Sequence, residues 1–182
     1  MASDKYDFTY FRGSEPAFDK VIYFDIDGVL NSDRYFSANP DVVEEQLKGV
    51  EDPGGIDQPA DLIDPEAITQ LNRVVKNLEP TVVLTSTWRR HYSLREIDQF
   101  LAERGFQGTL DAGIREGPQI SPEKNELILW SEQEVDPESF LVLDNRELLG
   151  IDNQVLIDSA TGLTDSDTED ILLHFNANTC NS

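Results

Sequence analysis

A single cysteine, Cys180, stands in the polar tail NANTCNS. No disulfide can therefore form within one chain, and the sequence fits a reducing, cytoplasmic setting. Long apolar runs are also missing, and nothing approaches the roughly 18 residues of a membrane span. The opening stretch MASDKYDFTYFRG lacks a basic start followed by an apolar core, which argues against a secretory signal. Basic residues are scarce: 14 Lys and Arg, five of them lysines, face 36 Asp and Glu, for a net charge of −22 over 182 residues. An acid surplus spread along the whole chain repels polyanions and disfavours loose binding to nucleic acid or an anionic membrane. The same surplus also suits a surface tuned for solubility, for example in high salt. No repeat of 20–50 residues is visible, and no GxxxxGK[ST] loop that would signal a kinase.

What is present is an alternation of two kinds of apolar segment. Val21–Phe24, Val82–Thr85, Phe140–Leu143 and Val155–Ile157 are short, β-branched or aromatic, and continuous. Strands covered on both faces of a parallel sheet read this way. Helical patterns separate them. Asp64-Pro65-Glu66 supplies a cap, a first-turn proline and an acid ahead of Ile68, Leu71, Val74, Val75 and Leu78. Ser93 can cap a helix carrying Leu94, Ile97, Phe100 and Leu101, with Gly105 as its stop. Ser121-Pro122-Glu123 opens another, and Asp165 or Ser166 the last. Strand and helix in turn predict an α/β domain with a mostly parallel sheet. We divide the chain into an N-terminal extension, 1–19, one domain, 20–176, and a tail, 177–182. Residues 31–63, rich in Asp, Glu, Pro and Gly, read as a surface loop or small flap inserted after the first strand.

The densest chemistry is FDIDGVLN, Phe24 to Asn31, at the end of the first strand. Ligands of open α/β sheets bind at the carboxyl ends of strands. Asp25 and Asp27 stand there two residues apart, and Gly28 lets the chain turn away sharply. Neighbouring carboxylates repel and call for a cation, and hard oxygen ligands select magnesium. A carboxylate can also be a covalent nucleophile. By itself DxDG also fits an ordinary turn or a calcium loop.

The string resembles the DxDG signature of the haloacid dehalogenase (HAD) superfamily, and three further signatures follow in that superfamily's order. A Ser or Thr closes a buried strand in TVVLTSTWR, at Thr85 or else Ser86. A lysine near a helix start is Lys124 in SPEKNELILW. An acidic pair at another strand end is matched by Asp144 and Asn145 in FLVLDN. The resemblance implies a three-layer, doubly wound, Rossmann-like fold and an Mg²⁺-dependent phosphatase working through an aspartyl-phosphate. It assigns Asp25 as nucleophile and magnesium ligand. Asp27 becomes the acid and base, its main-chain carbonyl on the ion. Thr85 would bond a phosphoryl oxygen, Lys124 would neutralise charge, and Asp144 and Asn145 would complete the metal site. Asp27 itself points away from dehalogenases and ion pumps, which lack an acid there. Asn145 departs from the commoner second aspartate and lowers the site's charge by one, as in phosphatases of the RNA polymerase tail.

DGVLN with a later TWR is most similar to small HAD domains of RNA-repair proteins. That likeness places Asn31, Trp88 and Arg89 on the site's rim, with Arg89 able to grip a phosphate bidentately. Gly28, Asn31, Ser86 and Arg89 are thus the expected substrate-binding positions, whereas His91 and His174 read as structural. Superfamily cap domains are inserted after the first or second motif, and here only 31–63 and the hairpin-sized 106–120 are available. An almost capless, open site suits a nucleotide, an oligonucleotide end or a phosphopeptide. A polynucleotide 3′-phosphatase and a non-catalytic interaction domain of the same fold are the competing expectations. No membrane partner and no strong nonspecific nucleic-acid binding are expected.

Overall fold

The computed structural model describes residues 6–11, 15–44, 58–116 and 124–179. In chain order its elements are strand β1 (Tyr6–Tyr10), β2 (Lys20–Phe24), helix α1 (Asp33–Ala38), a 3₁₀ turn (Pro59–Leu62), α2 (Pro65–Leu78) and β3 (Thr81–Leu84). A second 3₁₀ turn (Thr87–Arg90), α3 (Leu94–Glu103), β4 (Ala112–Glu116), α4 (Lys124–Val135), β5 (Ser139–Asp144), β6 (Gln154–Leu156) and α5 (Asp165–Thr179) follow. The strands form one sheet in the order β1-β4-β3-β2-β5-β6. All neighbours run parallel except β1, which pairs antiparallel with β4.

Cover on both faces explains the continuous apolar strands β2, β3 and β5, whereas β6, expected to be covered in the same way, is an edge strand that is half-buried with Leu156 exposed. Ile22, Phe24, Val82, Leu84, Leu141 and Leu143 face a core built with α2, α3 and α5. Their alternates Val21, Tyr23, Val83 and Val142 face Leu127 and Ile128 of α4. The result is the three-layer α/β architecture that the sequence implied. Local signals also act where they stand. Asp64 accepts from Glu66 N at 2.8 Å with Pro65 at the first helical position, and Ser93 and Glu96 close a reciprocal capping box on α3.

Several regions differ from the sequence expectation. Residues 6–10, assigned to the N-terminal extension, form edge strand β1 on β4, with Phe8 packed against Phe18 and Trp130. The segment expected to be hairpin-sized contributes β4 to the sheet. The ends of the 31–63 insert are ordered on the core: Tyr35, Leu62 and Ile63 are buried, and the Tyr35 hydroxyl donates to the Asp61 carbonyl at 2.7 Å. In each case tertiary packing places chain with weak local preference. Residues 177–179, read as tail, belong to α5. The Ser121-Pro122-Glu123 helix start and residues 45–57 of the insert lie outside the described residues.

Candidate active site

The site forms because three neighbouring parallel strands end at the same level. Phe24 is in register with Leu84 on one side and Leu143 on the other. The ladder runs one residue further on each side, Asp25 N to the Leu143 carbonyl and Thr85 N to the Phe24 carbonyl, both at 3.0 Å. Asp25, Thr85 and Asp144 are thereby set side by side at the carboxyl edge of the sheet.

All three are buried, as is Lys124, the first described residue of α4. The Lys124 ammonium donates to Asp25 Oδ2, and to Asp144 Oδ2 at 2.6 Å. The other oxygens are also held: Asp25 Oδ1 accepts from Ile26 N at 2.8 Å and Asp144 Oδ1 from Arg146 N at 2.9 Å. The exposed Arg146 guanidinium reaches Asp144 Oδ1 only at 3.9 Å. With Asp27 beside the group, three carboxylates therefore face one buried ammonium and one guanidinium at the rim, a net negative charge in a place where unbalanced charge is costly. Such a site favours an added cation.

Asp27 stands beside this group on the turn leaving β2. Its Oδ1 accepts from Asn31 Nδ2 at 3.1 Å, and the indole Nε1 of Trp88 lies 3.2 Å from both of its oxygens. The residue is exposed as a whole, yet neighbouring protein crowds its carboxyl and strips water from it. That desolvation is the largest cause raising its pKa above the usual aspartate value. Proximity to Asp25 raises it too, while the Asn31 and Trp88 hydrogen bonds and the Lys124 charge oppose the rise. Gly28 follows at φ 78°, and a Cβ there would lie 2.4 Å from the Asn145 amide nitrogen. Glycine is required on both counts, and its bareness lets Asn145 close over the turn.

The remaining sequence candidates are placed differently from one another. Thr85 Oγ1 donates to the Phe24 carbonyl at 2.9 Å, and Ser86 Oγ accepts from Trp88 N at 3.3 Å as the cap of the 3₁₀ turn. Asn31 and Trp88, expected on the rim, are buried. Asn31 turns its amide into the loop, accepting from Gly28 N at 2.8 Å. Arg89 Nη1 donates to the carbonyls of Thr85 and Ser86, each at 2.5 Å, so that this nitrogen braces the turn after β3. His91 ends that turn, and His174 packs edge-on to Phe175. Two sets of contacts escaped sequence reasoning: those of Arg146 on Asp144, and those of Asn31 and Trp88 on Asp27. Neither leaves a sequence signal, since each depends on which side chain a turn brings round.

Among the described residues no three acidic, imidazole or thiol side chains converge as a metal-binding cluster. No described helix is long and apolar enough to cross a membrane. A family model described as "HAD domain in Swiss Army Knife RNA repair proteins" matches residues 21–168, well over half of the chain. No curated protein and no solved structure matches it.

Proposed function

Because the chain belongs to the family of HAD domains found in Swiss Army Knife RNA repair proteins, we propose that it is a phosphomonoester hydrolase with Asp25 as its nucleophile. The observation that carries this reading is the buried Asp25–Lys124–Asp144 group at the carboxyl edge of β2 and β5, with the Asp27 carboxyl beside it.

In the first step an Asp25 oxygen bonds to phosphorus as the ester P–O bond breaks, and Asp27 gives its proton to the departing oxygen. In the second, Asp27 takes a proton from water as that water attacks phosphorus. The acyl–phosphate P–O bond breaks, phosphate leaves, and Asp25 returns as a carboxylate. Loss of surrounding water and the nearby Asp25 move the Asp27 pKa upward, the direction that favours an acid. Lys124 keeps Asp25 and Asp144 oriented and offsets their charge, in keeping with a reaction where positioning and charge neutralisation dominate. Asp25, Asp144, the Asp27 main-chain carbonyl and the Asn145 amide oxygen would hold magnesium. They are hard oxygen donors of the kind magnesium takes, and one or two protein carboxylates are the usual number for that ion. When bound it supplies neutralisation of phosphoryl charge.

A second reading, a polynucleotide 3′-phosphatase acting on nucleic-acid ends, is favoured by the RNA-repair context of the family and opposed by the −22 net charge.

Turnover of an aryl phosphate with Mg²⁺, lost in EDTA, separates an enzyme from an interaction domain. Asp25→Asn should abolish it, because an amide cannot form the acyl-phosphate. Activity above about 1% of wild type in an undeamidated sample would remove Asp25 from the nucleophile's role, since losing a covalent route costs far more than that.

A further inference from the structure

We propose that Trp88 and Asn31 are positioning residues that hold the Asp27 carboxyl where its proton must be delivered; the inference rests on the acid–base reading of Asp27 above. Asp27 sits exposed on a turn, where packing alone leaves an aspartate several rotamers. Two donors remove that freedom. The indole Nε1 of Trp88 faces both carboxyl oxygens at 3.2 Å, and Asn31 Nδ2 reaches Oδ1 at 3.1 Å.

Neither donor can easily turn away. Asn31 cannot exchange its amide atoms, because its Oδ1 already accepts from Gly28 N at 2.8 Å. Trp88 is buried, its ring 6.0 Å from that of Tyr92, which meets Phe100 edge-on at 5.2 Å. The backbone beneath is held as well. Ser86 Oγ accepts from Trp88 N, and Arg89 Nη1 donates to the two carbonyls that enter the turn. The chain Phe100–Tyr92–Trp88–Asp27 thus runs from α3 to the acid. The TWR string owes its place in the site to the indole N–H as much as to the arginine.

Such a device should matter in proportion to the need for protonation. Trp88→Phe keeps the ring against Tyr92 and deletes the donor. It should lower kcat/KM for an alkyl phosphate by about 10–10²-fold, the range set by acid–base help and by misplacing a reacting group. For an aryl phosphate with a good leaving group the loss should stay within about 5-fold, since that oxygen needs little protonation. Asn31→Ala, which leaves the aromatic packing intact, should show the same leaving-group-selective loss. In an Asp27→Asn background Trp88→Phe should add no more than about a factor of 2, because its route to the reaction is already gone.

Equal losses on both esters, or full additivity with Asp27→Asn, would overturn the proposal while leaving the enzyme reading standing. Should Trp88→Phe fail to fold, the Asn31→Ala comparison decides alone. A wild-type protein inert towards every phosphate ester would overturn both readings together.

Discussion

The hydroxyls of Thr85 and Ser86 differ in what each has left to offer a ligand. A hydroxyl carries one proton, and that of Thr85 is committed to the Phe24 carbonyl at 2.9 Å. Ser86 Oγ acts as acceptor, from Trp88 N at 3.3 Å, which keeps its proton available. A phosphoryl oxygen can only accept. Both side chains are fully buried, so if a phosphate reaches the turn it is Ser86 that has a proton to give, while Thr85 straps β2 to β3. Ser86→Ala should lower kcat/KM by about 10–10²-fold, the worth of one charge-assisted hydrogen bond. Thr85→Val should act mainly on stability, by about 1 kcal/mol for one buried hydrogen bond. Steady-state kinetics and urea midpoints on the two variants check this assignment. A larger kinetic loss in Thr85→Val would restore Thr85 as the donor.

At the scale of elements, the position of Lys124 depends on how α4 is seated. A hydrogen bond of 2.7 Å between the Tyr23 hydroxyl and Ser131 Oγ joins β2 to α4 inside the second core. Both residues are fully buried. Burial is the main cause that pushes the Tyr23 pKa up from 10 to about 12. The folded state thus binds this proton more tightly than the unfolded chain does. Stability from this group is complete below pH 10 and is lost as pH rises towards 12, by on the order of 3 kcal/mol. Urea unfolding from pH 8 to 12 should show that fall in wild type and a smaller one in Tyr23→Phe. Ser131→Ala should cost more at neutral pH, about 1–3 kcal/mol, because it strands a buried phenol. In Tyr23→Phe the remaining serine can bond a carbonyl of its own helix. If the two variants are equally stable at pH 7, the cross-link does not seat α4.

At the scale of the whole molecule the governing number is the −22 net charge. Asp25, Asp27 and Asp144 gather part of this charge at the carboxyl edge of the sheet, with Lys124 buried between two of them. A polyanionic substrate must approach through an opposing potential. Salt shortens the reach of that potential, from about 30 Å at 0.01 M to about 3 Å at 1 M. If the substrate is an oligonucleotide end, kcat/KM should rise with ionic strength, opposite to the trend of basic nucleic-acid binders. A compact sugar phosphate should respond far less. Measuring both substrates along one salt series tests this, and an oligonucleotide rate that falls with salt would point to a local basic path that outweighs the bulk charge.

By itself the sequence determined the parts whose causes are local. Continuous apolar runs marked β2, β3 and β5 because strands buried on both faces need no polar side. Asp64 and Ser93 marked helix starts because caps act within a few residues. Asp25 and Asp27 stood out as acids at a strand end, whereas Lys124 and Asp144 were singled out only through their resemblance to the superfamily's ordered signatures. The structure sets the Lys124 ammonium against Asp25 and Asp144. Edge strand β1 was missed although Tyr6, Phe8 and Tyr10 alternate, because its partner β4, AGIRE, carries almost no apolar signature. Only the tertiary structure decided which hydroxyl after β3 keeps its proton and which donors hold Asp27. Trp88 and Asp27 are 61 residues apart. They meet only because β3 lies beside β2 and the chain turns at once after it, and hydrogen bonds of about 3 Å are set by such juxtapositions rather than by spacing along the chain.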